Sequence, residues 1–264
     1  MSKIGVIGFG IMGEAITVAL QQRDGVDSMT VFDVDPQRQA LATKKGFSVT
    51  DSITKLLPIT NTLILAVKPQ QAHVLAPELK GRVGEHLLLS VMAGISLDQL
   101  EELFDTSRVV RTMPNTPAQI GQGFTVWTAG TAVTGDDKKQ IINILTAFGG
   151  VLELTDEAMI NAATAISGSG PAYVFLLAQA LEESAIALGF DREIARLLVS
   201  ETLRGSSALY YGQRDVAPEE LRRRVTSPGG TTNAAMEELG VEKFIAMWKG
   251  ATRAAYERAK ELAG

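Results

Sequence analysis

An apolar run beginning at Lys3 ends directly in Gly8-Phe9-Gly10-Ile11-Met12-Gly13, and an amphipathic stretch follows over residues 11–22. Strand, glycine-rich turn and helix in that order constrain the chain more than any other part of it. Gly8 permits the tight turn, Gly10 lets backbone approach a pyrophosphate, and Gly13 lets helix pack on strand. The helix N-terminus offers unpaired N–H groups and the positive end of its dipole to the phosphates. A glycine-rich turn in some other α/β protein is the competing reading; the flanking strand and helix favour a dinucleotide held along residues 8–13.

The alternation continues. Strands are expected at Lys3–Gly8, Met29–Asp33, Thr62–Val67, Leu87–Val91, Arg108–Met113 and Phe124–Thr128, with helices near 11–22, 36–45, 70–79, 96–104 and 136–148. Strands alternating with helices imply a parallel sheet covered on both faces. Gly149-Gly150 reads as a stop after the last of these helices. Beyond residue 155 only helical segments are expected, at 156–166, 171–188, 191–212 and 232–260. The chain therefore divides into an α/β dinucleotide-binding domain, 1–154, and an all-helical domain, 155–264. From Val174 to Leu188 only Gln179, Glu182, Glu183 and Ser184 are polar, so most of that helix seeks burial. A small helical domain buries surface inefficiently. Association with a second copy through these helices is expected, the alternative being packing on the first domain alone.

Partners are narrowed by composition. A net charge of −5 lacks the clustered basic surface that nucleic acid requires, and zero cysteines exclude disulfides and thiolate chemistry. No secretory pattern or membrane-length apolar run is present, so a soluble cytoplasmic protein is expected. No cluster has metal-ligand spacing. His73 and His86, the two histidines, read as surface or packing residues, as do Trp127 and Trp248. Asp33 follows Gly13 by 20 residues, where an acid bonds the adenosine ribose hydroxyls and favours NAD. Gln37 and Arg38 follow within reach of a 2′-phosphate, which keeps NADP open.

Further stretches do not resemble generic scaffold. Ala66-Val67-Lys68-Pro69 and Ala93-Gly94-Ile95 end strands, where the loops of a parallel sheet face a ligand. Then come Val110-Arg111-Thr112-Met113-Pro114-Asn115-Thr116-Pro117, Ser167-Gly168-Ser169-Gly170-Pro171-Ala172-Tyr173 and Val225-Thr226-Ser227-Pro228-Gly229-Gly230-Thr231-Thr232. With the glycine loop, this set closely resembles the Δ1-pyrroline-5-carboxylate reductases, in order and spacing, over nearly the whole chain. The resemblance implies a Rossmann domain plus an interlocking dimerisation domain, with dimers that in many members assemble into rings. It implies reduction of (S)-1-pyrroline-5-carboxylate to L-proline, and it ranks NADPH ahead of NADH.

A cyclic imine binds already protonated, so the chain must mainly hold the imine carbon against the nicotinamide. The glycine N–H groups of the Ser227–Thr232 turn, and a helix starting at Thr231, suit a carboxylate. Plain helix capping is the bland alternative. By resemblance, Ser227, Gly229, Gly230, Thr231 and Thr232 bind substrate, with the Thr232 hydroxyl near the ring nitrogen as the catalytic group. Ala66, Val67, Lys68, Ala93, Gly94 and Asn115 join the cofactor contacts; Lys68 acts through its backbone rather than as a general acid. A β-hydroxyacid dehydrogenase shares this plan but needs a lysine on a helix of the second domain, and none occurs between Lys139 and Lys243. A non-catalytic dinucleotide sensor would need the glycine loop but not the Ser227–Thr232 turn.

Overall fold

The computed structural model describes residues 2–21 and 23–262. Its contacts divide the chain into two compact units: the chain through Ser169 together with the stretch from Ala255 onward, and Gly170–Ala254. The first unit is built on strands β1 (Ser2–Ile7), β2 (Val26–Phe32), β3 (Ser48–Val49), β4 (Thr62–Leu65), β5 (Leu87–Ser90), β6 (Val109–Met113), β7 (Gly123–Ala129) and β8 (Gly149–Glu153). They form one sheet in the order β3-β2-β1-β4-β5-β6-β7-β8. Helices α1 (Ile11–Leu20), α2 (Pro36–Lys44), α3 (Ile53–Leu56), α4 (Ala72–Leu79), α5 (Leu97–Phe104), α6 (Gly135–Thr146) and α7 (Ala158–Ala163) complete it.

The sheet is not wholly parallel, which corrects the expectation. β6 and β7 pair antiparallel, β7 and β8 pair parallel, and the last two strands thus run against the other six. The physical reason is length: only the 3-10 turn Thr116–Ile120 separates β6 from β7, and a parallel return needs a crossover of a dozen residues or more. β8 was not expected. The preceding helix ends at Thr146 with Ala147 as its C-cap, and Gly149 opens the strand. At φ +147 its missing Cβ would lie 1.9 Å from the Gly123 carbonyl oxygen, so the pair of backbones meets only at glycine.

Both faces of the sheet are buried, and the strands read as continuous apolar runs for that reason. In β5, Leu87 and Leu89 join Ile4, Val6 and Ile64 under α1 and α6, whose Ile16, Leu20, Ile141 and Leu145 complete one cluster. Leu88 points the other way, to Ile7, Leu63 and Leu65 under Leu75, Leu79, Leu100 and Phe104 of α4 and α5. Trp127 is packed in the first cluster. His86 hydrogen-bonds the carbonyls of Val83 and Leu57, a packing role.

The second unit contains α8 (Gly170–Ala187), α9 (Arg192–Gly212), α10 (Pro218–Arg224), α11 (Thr231–Leu239) and the start of α12 (Val241–Leu262). Asp191 caps α9 by accepting the Ile194 N–H at 2.8 Å. The single helix expected over 232–260 is two helices, because Gly240 takes φ +58 as a left-handed C-cap. Tyr173 and Phe244 stack edge-on against Trp248, with centroids 5.1 and 6.0 Å away. Little else is enclosed. α8 has no buried residue, and in this unit only Ala195 and Val199 are buried apolar side chains among the described residues.

Candidate active site

The glycine loop behaves as its three positions require. Gly8 has φ +97, and a Cβ there would meet the Ala66 carbonyl oxygen at 2.7 Å. A Cβ on Gly13 would lie 2.0 Å from the Gly8 carbonyl oxygen, so helix and turn touch only through glycine. Gly10, the N-cap of α1, faces open space: nothing lies within 4 Å of its absent Cβ, and no side chain caps the helix. The N–H groups of the first turn, Ile11, Met12 and Gly13, have no intrahelical acceptor. Phe9 is fully buried and packs edge-on against Phe47, which fixes the loop from below.

Beside this loop lies a cavity of about 460 Å³ whose lining includes Gly10, Asp35, Arg38, Val67, Lys68 and Gln71. Asp33 also lines it, but its carboxylate is already engaged. One oxygen accepts the Phe9 N–H at 2.6 Å and the other accepts the Asp35 N–H at 2.9 Å. Asp33 therefore latches the glycine loop to the end of β2, a task the sequence reading did not assign to it. Arg38 has no ion-pair or hydrogen-bond partner for its guanidinium among the described residues. A dinucleotide suits these features: a backbone platform for a pyrophosphate, and an unpaired guanidinium at the adenosine end.

The strand-end loops differ in access. Ala66 and Val67 are half-buried and Lys68 is exposed, its N–H donating to Gln71 Oε1 at 3.3 Å. Ala93 is half-buried, whereas Gly94 is buried at φ +74, where a Cβ would lie 2.6 Å from Leu262 Cβ. Asn115, beyond β6, accepts the Phe124 N–H at 2.8 Å and donates to the Ser167 carbonyl at 3.1 Å. One Nδ2 hydrogen remains. Ser167 sits in a π-helical turn, Thr164–Gly168, a wide coil of the kind found at functional sites.

In the second unit, Ser227 to Thr232 forms a turn that opens α11. Gly229 takes φ +70, the Gly230 N–H donates to the Ser227 carbonyl at 3.0 Å, and Gly230 is the N-cap with no side-chain cap bond. A Cβ on Gly230 would lie 2.6 Å from Ser227 Oγ. The hydroxyls of Ser227, Thr231 and Thr232 have no partner among the described residues. Capping by these hydroxyls does not occur, so the first N–H groups of α11 have no side-chain acceptor among the described residues.

Sequence reading named Arg111 only within a motif and gave no role to Glu157 or Asn161; the buried Arg111 pairs with both of these half-buried side chains. The signal was present: Arg111 stands inside the buried run Val109-Val110-Arg111-Thr112, and a buried guanidinium requires partners. Among the described residues no acidic or histidine cluster is placed to hold a metal, and no helix is long and apolar enough to cross a membrane.

Comparison with known proteins decides the family. The chain is 39% identical to the pyrroline-5-carboxylate reductase of Pseudomonas aeruginosa, over 99% of this chain and 97% of that one. It belongs to the pyrroline-5-carboxylate reductase family. Residues 157–262 match the family model described as pyrroline-5-carboxylate reductase dimerisation. Residues 3–94 match one described as NADP oxidoreductase, coenzyme F420-dependent. Among solved structures, the Coxiella burnetii reductase superposes with a TM-score of 0.89 at 33% identity, covering 100% of this chain and 99% of that one. The Plasmodium falciparum reductase, solved with NADP bound, superposes at 0.90 with 27% identity, covering 100% and 98%. The chain is thus an NAD(P)H-dependent oxidoreductase of a C=N bond that reduces (S)-1-pyrroline-5-carboxylate to L-proline, the final step of proline biosynthesis.

Proposed function

We propose that the Ser227–Thr232 turn binds the carboxylate of the imine acid and that Thr232 is the catalytic hydroxyl. The uncapped start of α11 carries this reading. Its N–H groups at Thr231 and Thr232, with the Gly229-Gly230 backbone and Ser227 Oγ, suit a carboxylate, which gains from the positive helix end. Thr232 Oγ1 hydrogen-bonds at the ring nitrogen and orients the protonated imine. Reduced nicotinamide, when bound, supplies the hydride. The imine carbon accepts it, the C=N electron pair passes to nitrogen, and the existing N–H proton stays with the product amine. No separate general acid is needed, which fits Lys68 contacting cofactor through its backbone.

The dinucleotide is assigned to Gly8, Phe9, Gly10, Ile11, Met12, Gly13, Asp33, Ala66, Val67, Lys68, Ala93, Gly94 and Asn115, in a module spanning 1–154; residues 155–264 supply dimerisation and substrate binding. NADPH is preferred over NADH, because Arg38 is unpaired at the cavity while the Asp33 carboxylate is occupied by backbone donors. The protein works in the cytoplasm as a homodimer built through α8 and α9, and the family resemblance extends this to a ring of dimers. An absorbance assay with pyrroline-5-carboxylate tests the assignment. Oxidation of NADPH at higher kcat/KM than NADH is expected. Thr232→Ala is expected to lower kcat about 10- to 100-fold with cofactor affinity nearly intact; unchanged turnover would remove the hydroxyl from the mechanism.

A further inference from the structure

Arg111 is the charged residue of β6, and its side chain is only 4% exposed. It donates from Nη1 to Glu157 Oε1 and from Nη2 to Asn161 Oδ1, each at 2.7 Å. The same Glu157 oxygen accepts the Leu97 N–H at 2.8 Å. Leu97 is the first residue of α5, so its N–H has no acceptor within the helix. Ser96 caps this helix, and the loop Ala93–Ile95 precedes it. Asn161 is on α7, which leads into the π-helical turn Thr164–Gly168, and Ser167 of that turn is bonded by Asn115, four residues beyond Arg111. Arg111 and the half-buried Glu157 and Asn161 therefore tie β6 to the start of α5 and to α7, while Asn115 beyond β6 holds the π-helical turn that follows α7.

Stability does not explain such a device well. Arg111 is almost fully desolvated and Glu157 partly so, which offsets much of their attraction, and apolar residues of similar volume often serve a fold at least as well. The three segments it joins stand at the carboxyl edge of the parallel strands, where a doubly wound sheet places its ligand. We propose that Arg111 and Glu157 are positioning residues for hydride transfer, fixing these loops so that the reacting carbon is held in line with its donor. This rests on the reading of the first unit as the dinucleotide-binding one. Neither side chain needs to touch substrate or cofactor. Misplacement of a reacting group by about 1 Å costs on the order of 100-fold in rate.

The test compares Glu157→Leu, which removes both acceptor bonds, with Glu157→Gln, whose Oε1 still accepts from Leu97 and Arg111. For each variant kcat, KM for NADPH and the primary isotope effect with 4-deuterated NADPH are measured. Glu157→Leu is expected to lose kcat by about 10- to 100-fold, with a larger isotope effect as chemistry becomes limiting. KM for NADPH should change several-fold less than kcat, because the glycine loop and the Arg38 cavity are untouched and only the contacts at Ala93, Gly94 and Asn115 can shift. Glu157→Gln should recover kcat to within about threefold. Should Glu157→Leu not fold, Asn161→Ala removes a single arm, and the same split is expected on a smaller scale. A lowered melting temperature with unchanged kcat and isotope effect would overturn the proposal, as would a Gln variant as slow as Leu. An enzyme whose NADPH affinity is unchanged by Gly10→Val would overturn the underlying reading instead.

Discussion

The two units of this chain solve the burial problem in opposite ways. The first packs apolar side chains on both faces of its sheet, and Trp127, Phe104, Phe148 and the β1, β4 and β5 aliphatics are all fully enclosed. The second encloses almost nothing: Phe175 is 65% exposed, Leu176 62% and Leu188 82%. An isolated polypeptide does not hold so many large apolar groups in water at no cost, since each contributes about 1.5–3 kcal/mol when fully buried. The first unit carries its own core, whereas the second lends its apolar surface to a partner, in agreement with the family's dimerisation region at 157–262. Composition alone does not separate them. What differs is whether apolar positions face inward from two layers or surround a helix on all sides.

The largest effect should come from attacking that shared surface. Phe175→Arg combined with Leu176→Arg is expected to abolish the dimer and most activity, read by light scattering and by the imine assay. A stable, active monomer would show that the second unit closes its own core. Heating should sharpen the same contrast, because unfolding of the second unit is coupled to dissociation, and its midpoint should rise with protein concentration. Next in size is a pair of glycine substitutions within the self-sufficient unit. Gly13→Val places a side chain 2.0 Å from the Gly8 carbonyl oxygen, so loss of the folded unit is expected by circular dichroism. Gly10→Val meets nothing, so the fold should survive while NADPH affinity falls by about 100-fold or more in a fluorescence titration. Retained binding in Gly10→Val would contradict the pyrophosphate assignment.

The same contrast explains what was legible in the sequence. Apolar runs bounded by turns marked six strands of the first unit, because burial on both faces leaves such runs uninterrupted. β8 was hidden because Gly149-Gly150 reads as a breaker, and the reversal of β7 because polarity depends on connection length rather than on the strand itself. In the second unit the apolar circumference of 174–188 announced a partner, but α10, Pro218–Arg224, carries no apolar stripe and was passed over. At the site, residue types with a fixed backbone consequence were readable: Gly8, Gly13 and Gly229 each occupy a conformation or an approach that demands glycine. Bonds between distant segments were not. Nothing local to Asp33 says that it will grip the Phe9 N–H, and nothing near Glu157 points to Leu97.

The smallest expected effect concerns charge rather than packing, and it too belongs to the unit with its own core. Asp137 is buried at the start of α6, where Arg108 donates to both carboxylate oxygens and the Thr134 N–H and hydroxyl donate to one of them. The Arg108 bonds, with help from Thr134, lower its pKa from 3.8 to about 2. A carboxyl that is more acidic folded than unfolded adds stability above its unfolded pKa, and that contribution fades as pH falls toward about 2. The shift corresponds to about 2 kcal/mol. Asp137→Asn should therefore lower stability by about that much at pH 7 in denaturant titrations at fixed protein concentration, and the difference from wild type should shrink between pH 4 and pH 2. Its neighbour Asp136 pairs with Lys139 in the open, both side chains more than 80% exposed, and Asp136→Asn should change little at any pH because solvent screens that pair. Equal losses from the two substitutions would mean that the Arg108 bonds contribute no more to folding than a surface pair does.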